Sequence, residues 1–251
     1  MITGRFLTTA AAGLALALPM AFADSADASL ISVKFGRSAH DVTGSAGAPG
    51  YVADNWNNTG SSNGSVVDLV DDSGTVTTAD ITWTANEIWR QSESTQPTPD
   101  INLMASFIND TSGETNGVPN DPDTITFESI PYALYNLVVY VHGEGGRITS
   151  LDLAAGTVNA TKIVNLTPNY TSATQFAADP ENDGILAVTN GYNLDSGLDW
   201  RLVGNQDPAN EGNYVVFENL TSDQLTLTYG GVSGRGSIAG IQIYEVPEPG
   251  T

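Results

Sequence analysis

Cysteine is absent from the chain, so no disulfide framework holds it together. Its stability has to come from a hydrophobic core of ordinary size, helped at most by a bound ion. Positive charge is nearly as scarce, with 8 Lys and Arg against 29 Asp and Glu and a formal charge of −21. Such a surface is repelled by nucleic acid and by anionic membranes, which excludes both as partners. It suits a solvated protein and leaves many carboxylates available to divalent cations. Histidine occurs twice, as His40 and His142, and neither belongs to an HExxH helix. His142 reads as a rim histidine capping a turn. Acids are so abundant that spacing singles out no pair for glycoside cleavage. Heptads, fixed-period repeats and amphipathic helices are missing as well.

One long apolar run is present, at the start. Arg5 supplies a lone positive charge, Leu7–Phe22 is almost wholly apolar or small, and a small-x-small site follows at Ala21-Phe22-Ala23. That order predicts a cleavable signal peptide over residues 1–23 and export by the general secretory route. A membrane anchor would need about 20 apolar residues without the proline and cleavage site found here. Loss of residues 1–23 removes Arg5 and no acid, so the acidic excess grows by one.

From Leu30 onward the chain is a succession of short strands separated by Gly, Asn, Asp, Ser and Pro. The organising stretch is Pro131–Arg147, PYALYNLVVYVHGEGGR. Its unbroken apolar run Leu137–Val141, stopped by glycines, predicts a strand buried on both faces. Leu30–Phe35 alternates and is expected to open the sheet. Val66–Val70 reads as a short strand ended by the turn Asp71-Asp72-Ser73-Gly74. In Thr75–Ala85 the residues Ile81, Trp83 and Ala85 fall on one face. Ile101–Ile108 suits a strand or a short helix. Asn213–Phe217, Gln224–Tyr229 and Ser237–Glu245 are the clearest strands. Strands at this spacing predict an all-β fold, a single antiparallel β-sandwich or jelly roll over residues 30–245.

Two kinds of site can be sought in the loops. Asp179-Pro180-Glu181-Asn182-Asp183-Gly184 places Asp179, Glu181 and Asp183 at alternate positions before a glycine, like the opening of a calcium loop. The match stops there, because Asn190 stands where a bidentate Glu belongs and no helices flank it. Structural calcium held by these three acids is the one cofactor the sequence suggests, with a plain polar turn as the competing reading. Sugar binding needs exposed aromatic faces beside planar polar groups. Asn55, Trp56, Asn57 and Asn58 combine a large ring with amides, and Trp89-Arg90 and Tyr192-Asn193 are lesser candidates, with packing under a loop the competing reading for each and the favoured one for Trp56; Trp83 reads as core. Arg235, the only basic residue near the last strands, is expected to pair with an acid or to touch a ligand.

The succession ISVKFG, NWNN, VDDSG, PYALYNLVVYV, GNYVVFENL and GRGSIAGIQIYE resembles exported bacterial β-sandwich proteins that carry a galactose-binding-like, carbohydrate-binding-module-like domain. The resemblance spans Leu30–Glu245. Val246-Pro247-Glu248-Pro249-Gly250-Thr251 resembles the opening of a PEP-CTERM sorting signal, with Val246, Pro247, Glu248 and Pro249 as its recognisable residues. The resemblance implies a non-catalytic protein of the Gram-negative cell surface or extracellular matrix, in contact with polysaccharide and processed by exosortase-type machinery. The competing expectations are a purely structural matrix protein and a glycan-active enzyme. A complete signal of that kind continues into an apolar helix and a basic cluster. The reading frame is therefore expected to extend past Thr251 with about 20 apolar residues followed by basic ones.

Overall fold

The structure, a computed structural model, describes residues 28–90, 98–110, 123–143, 147–166, 202–203 and 212–247, together with the backbone of 114–115 and 118–119. The expected signal peptide, residues 1–23, lies outside the described residues.

In chain order the first elements are β1 (Leu30–Phe35), a single 3-10 turn (Ser38–His40), β2 (Asn57–Thr59), β3 (Gly64–Val66), β4 (Asp80–Trp83) and β5 (Glu87–Arg90). Helix α1 (Pro99–Ala105) runs straight into β6 (Ser106–Asn109), and β7 (Glu114–Thr115), β8 (Val118–Pro119) and β9 (Asp123–Glu128) follow. The second half holds β10 (Tyr135–Tyr140), β11 (Ile148–Ala155), β12 (Val158–Asn165), β13 (Tyr214–Leu220), β14 (Leu225–Ser233), β15 (Ser237–Ile238) and β16 (Gly240–Glu245). The architecture is all-β, with several antiparallel sheets and, among the described residues, one short α-helix.

Five strands form one sheet in the order β13-β10-β16-β1-β2, and six form another in the order β12-β11-β14-β9-β4-β3. Every pairing is antiparallel except β1 with β2. A three-stranded sheet, β15-β6-β5, and a two-stranded one, β7-β8, complete the set. Side chains of the two large sheets meet in one core: Val33, Leu137 and Ile241 from the first, Ile81, Phe127 and Leu227 from the second. Phe35 meets Trp83 edge to face across this core, with ring centroids 5.7 Å apart. Burial of such apolar area drives the association at about 25 cal/mol per Å².

The five-stranded sheet is covered on its other face as well. Val138, Tyr140, Tyr214 and Val216 pack there against Ala46, Trp56, Leu103 and Met104, which come from the segment after β1 and from α1. Leu137–Val141 is therefore buried on both faces, its odd and even residues entering different cores. Instead of opening a sheet, β1 is an interior strand between β16 and β2. All six of its residues are buried, Ser32 and Lys34 included, so its alternation does not mark a solvated face.

Other expectations change for local reasons. The strand expected over Val66–Val70 shortens to Gly64–Val66, because Asp68 adopts a positive φ of 54° and Val67 points outward. The turn after it forms as expected, with Asp71 Oδ1 accepting from the backbone N–H groups of Ser73 at 3.0 Å and Thr75 at 2.8 Å. Ile101–Ile108 divides into a helix and a strand. Thr98 caps the helix by accepting from the Ile101 N–H at 3.2 Å, and Pro99 occupies its first turn. The last strand breaks at Ala239 into β15 and β16. There the Ala239 N–H donates to the Tyr140 carbonyl, its carbonyl accepts from the Phe35 N–H, and the residue packs into the second core. β15 thereby leaves the large sheet to pair with β6.

Candidate functional site

The break at Ala239 gives the small sheet its own orientation and two distinct faces. Ile88, Ile108 and Ile238 lie opposite one another across β5, β6 and β15 and pack into the first core. Period-two alternation sends Glu87 and Trp89 to the other side of β5. Directly across from them on β6 stand Asn109 and Phe107. Phe107 is buried and meets the His142 ring edge to face at 5.8 Å, whereas Trp89 at the sheet edge is 40% exposed. Of the three tryptophans in the described residues, Trp89 alone presents ring surface to solvent.

Planar polar groups surround this ring's strand. Glu87 Oε1 forms an ion pair with Arg235 and accepts from Asn109 Nδ2 at 3.0 Å. Asn109 Oδ1 accepts in turn from Arg147 at 3.3 Å. Arg235 is aimed by the tight glycine turn after β14. A Cβ on Gly231 would lie 2.1 Å from the Gly234 carbonyl oxygen, so that approach requires glycine. Gly234, at a φ of +76°, brings the backbone against the aliphatic stem of Arg147. Asp110 Oδ2 fastens the same turn by accepting from the Gly231 N–H at 3.1 Å. The side chains of Arg235 and Glu87 are 40% and 31% exposed, so solvent screens the pair and its contribution to stability is small. Its significance is positional: a carboxylate and a guanidinium are held side by side at the surface.

Buried basic groups lie behind this face. The Lys34 ammonium, fully enclosed, donates to the carbonyls of Phe35 and Ser106. Burial pushes it down to about 7, against the upward pull of Asp41. His142 is 3% exposed, and its Nδ1 has no hydrogen-bond partner among the described residues. Burial first, then the charges of Lys34 and Arg147, push it down to about 4. Its carbonyl accepts from Ser237 Oγ, a contact that ties the end of β10 to β15. The ring itself is enclosed, so it is not a solvent-facing rim residue.

The residues singled out in the sequence are distributed unevenly. Trp56 is only 6% exposed; its Nε1 donates to the Ala53 carbonyl at 3.2 Å and its ring leans on Tyr140 at 6.1 Å. No stacking face remains on it. The neighbouring amides serve the backbone: Asn55 donates to the Asp71 carbonyl, Asn57 donates to the Ser32 and Val70 carbonyls and accepts from the Val70 N–H, and Asn58 exchanges both bonds with Val42. Trp89 and Arg235, far apart in sequence, are brought together through Glu87. Trp83 is core, with Nε1 donating to the Ser61 carbonyl.

The calcium candidates Asp179, Glu181 and Asp183 lie outside the described residues, as do Tyr192 and Asn193. Among the described residues no group of three or more His, Cys, Asp or Glu side chains is placed to hold a metal ion. Val246 is tied to the end of the fold by donating its N–H to the Leu134 carbonyl at 3.0 Å, and Pro247 is exposed. Glu248 and Pro249 lie outside the described residues. Among the described residues no helix is long and apolar enough to cross a membrane. Sequence reasoning missed Glu87, Asn109 and Arg147, although the Glu-Ile-Trp alternation at 87–89 carries the signal for the first of them. No protein-family model, curated protein or solved structure matches the chain.

Proposed function

We propose that the chain is a non-catalytic exported protein of the cell surface or extracellular matrix that contacts polysaccharide through the Glu87–Trp89 face. One observation carries the reading: an exposed indole stands on the same strand face as a surface carboxylate–guanidinium pair. A sugar uses that combination by stacking an apolar ring face on the indole while its hydroxyls bond the planar polar groups. The scaffold in this reading is a single β-sandwich of the jelly-roll kind over residues 30–245, supported by the shared core of the two large sheets. Export rests on the signal-peptide pattern at 1–23, and sorting by exosortase-type machinery rests on the Val246–Pro249 ending. Structural calcium at Asp179–Asp183 remains part of the proposal.

Affinity electrophoresis through gels containing soluble polysaccharides tests the contact. Trp89→Ala loses retention while unfolding within about 1 kcal/mol of wild type, as expected for an exposed edge residue. Equal retention of wild type and variant would refute it. A second reading, a purely structural matrix protein, draws on the burial of Trp56 and the use of Asn55, Asn57 and Asn58 by the backbone. It predicts no retention on any polysaccharide.

A further inference from the structure

Resting on that glycan reading, we infer that the Glu87–Trp89 face takes a neutral sugar through a vicinal diol, and discriminates against uronic acids. Glu87 commits Oε1 to both Arg235 and Asn109, and its Oε2 has no partner among the described residues. Arg235 commits one nitrogen to Glu87, and its other donors have no partner among the described residues. A bare carboxylate oxygen and bare guanidinium N–H groups thus stand side by side. Each sugar hydroxyl is both donor and acceptor. One hydroxyl of a vicinal pair donates to Glu87 and its neighbour accepts from Arg235, a match that requires two adjacent hydroxyls and no charge.

Trp89 lies two residues along the same strand, about 6.6 Å from Glu87 by strand rise. That separation suits a pyranose stacked on the indole with its diol edge directed at the ion pair. An anionic sugar meets the opposite situation. The Arg235 charge is already matched by Glu87, whose carboxylate repels a second one, and the chain as a whole carries −21.

The test runs the full chain through affinity gels containing a panel of neutral polysaccharides (galactan, galactomannan, xylan, arabinan and a mixed-linkage glucan) and, in parallel, polygalacturonate and alginate. Retention is expected on at least one neutral polymer and on neither polyuronate. It is expected to disappear when that polymer is first oxidised with periodate, which cleaves the carbon–carbon bond of vicinal diols. Glu87→Gln keeps an acceptor for Asn109 and for Arg235 but removes the countercharge. It is expected to weaken retention on the neutral polymer about tenfold or more, the size of one lost charge-assisted hydrogen bond, and to gain retention on polygalacturonate. Retention on polyuronates that Trp89→Ala abolishes would leave the glycan contact standing and overturn the neutral-diol assignment. Retention that survives periodate would overturn it too. Failure to bind every polymer would overturn the glycan contact itself, and this inference with it.

Discussion

His142 makes the folded chain sensitive to acid in a window of its own. The ring is buried, its Nδ1 has no hydrogen-bond partner among the described residues, and the charged groups that act on it are Lys34 and Arg147. Its value falls from 6.5 in the unfolded chain to about 4 in the fold. A group depressed in this way binds its proton more readily when unfolded, so stability falls as pH drops below 6.5 and stops falling below about 4. A difference of two to three pH units corresponds to roughly 3 kcal/mol. Many carboxylates titrate over part of the same range, so the measurement has to be a difference. Urea unfolding of wild type and His142→Phe, followed by tryptophan fluorescence at pH 7 and pH 4, isolates the term. Phenylalanine keeps a ring against Phe107 and cannot take a proton. The wild type should lose roughly 3 kcal/mol more than the variant between the two pH values. Equal losses would refute the burial argument and place the His142 ring in contact with water.

Lys34 should act in the neighbouring window. Its buried ammonium is depressed from 10.5 to about 7, so wild type should gain stability between pH 7 and pH 9.5 relative to Lys34→Met, and parallel curves would refute this. Trp56→Ala should cost about 3–5 kcal/mol in urea unfolding, as truncating a core aromatic does, and a cost under 1 kcal/mol would return Trp56 to the surface. Thr98→Ala should cost about 1 kcal/mol through loss of the helix cap, read in the same assay. Chelator should lower the melting temperature if Asp179, Glu181 and Asp183 hold calcium, because an ion bound only by the native state stabilises it by mass action; an unchanged melting temperature between saturating calcium and chelator retires that site.

The strands were legible because their chemistry is local. Leu137–Val141 lacks alternation, and that alone states that neither face meets water. Ile81 and Trp83 alternate with threonines on a sheet that packs on one side, and they behave accordingly. Lys34 and Ser32 alternate just as cleanly in β1, yet both are buried. A strand's pattern reports polarity, and it does not report whether a loop and a helix will later cover the polar positions. The covering here comes from residues 42–56 and α1, whose start is signalled in the sequence by Thr98-Pro99-Asp100.

The same physics separates Trp56 from Trp89. Amides next to an aromatic look like a sugar site, but an irregular buried segment also needs amides, to satisfy backbone groups that no ladder pairs. Asn55 just before β2, and Asn57 and Asn58 within it, meet that need for the backbone of Asp71, Val70 and Val42, while the Trp56 Nε1 donates to the Ala53 carbonyl. Around Trp89 the backbone pairs with β6, and the Trp89 carbonyl accepts from Ser106 Oγ, so Glu87 and Arg235 have no such duty there and stay partly exposed. On the proposed function, an aromatic in regular structure with charged neighbours is a better guide to a binding face than an aromatic in a polar loop. The rule is open to check on Trp200, which lies outside the described residues and belongs to a sequence stretch, Leu194–Glu211, rich in Asp, Asn and Gly: it predicts that Trp200→Ala, like Trp56→Ala, lowers stability and leaves polysaccharide retention unchanged once the variant is folded. Loss of retention without loss of stability would show that a polar loop can free its aromatic after all.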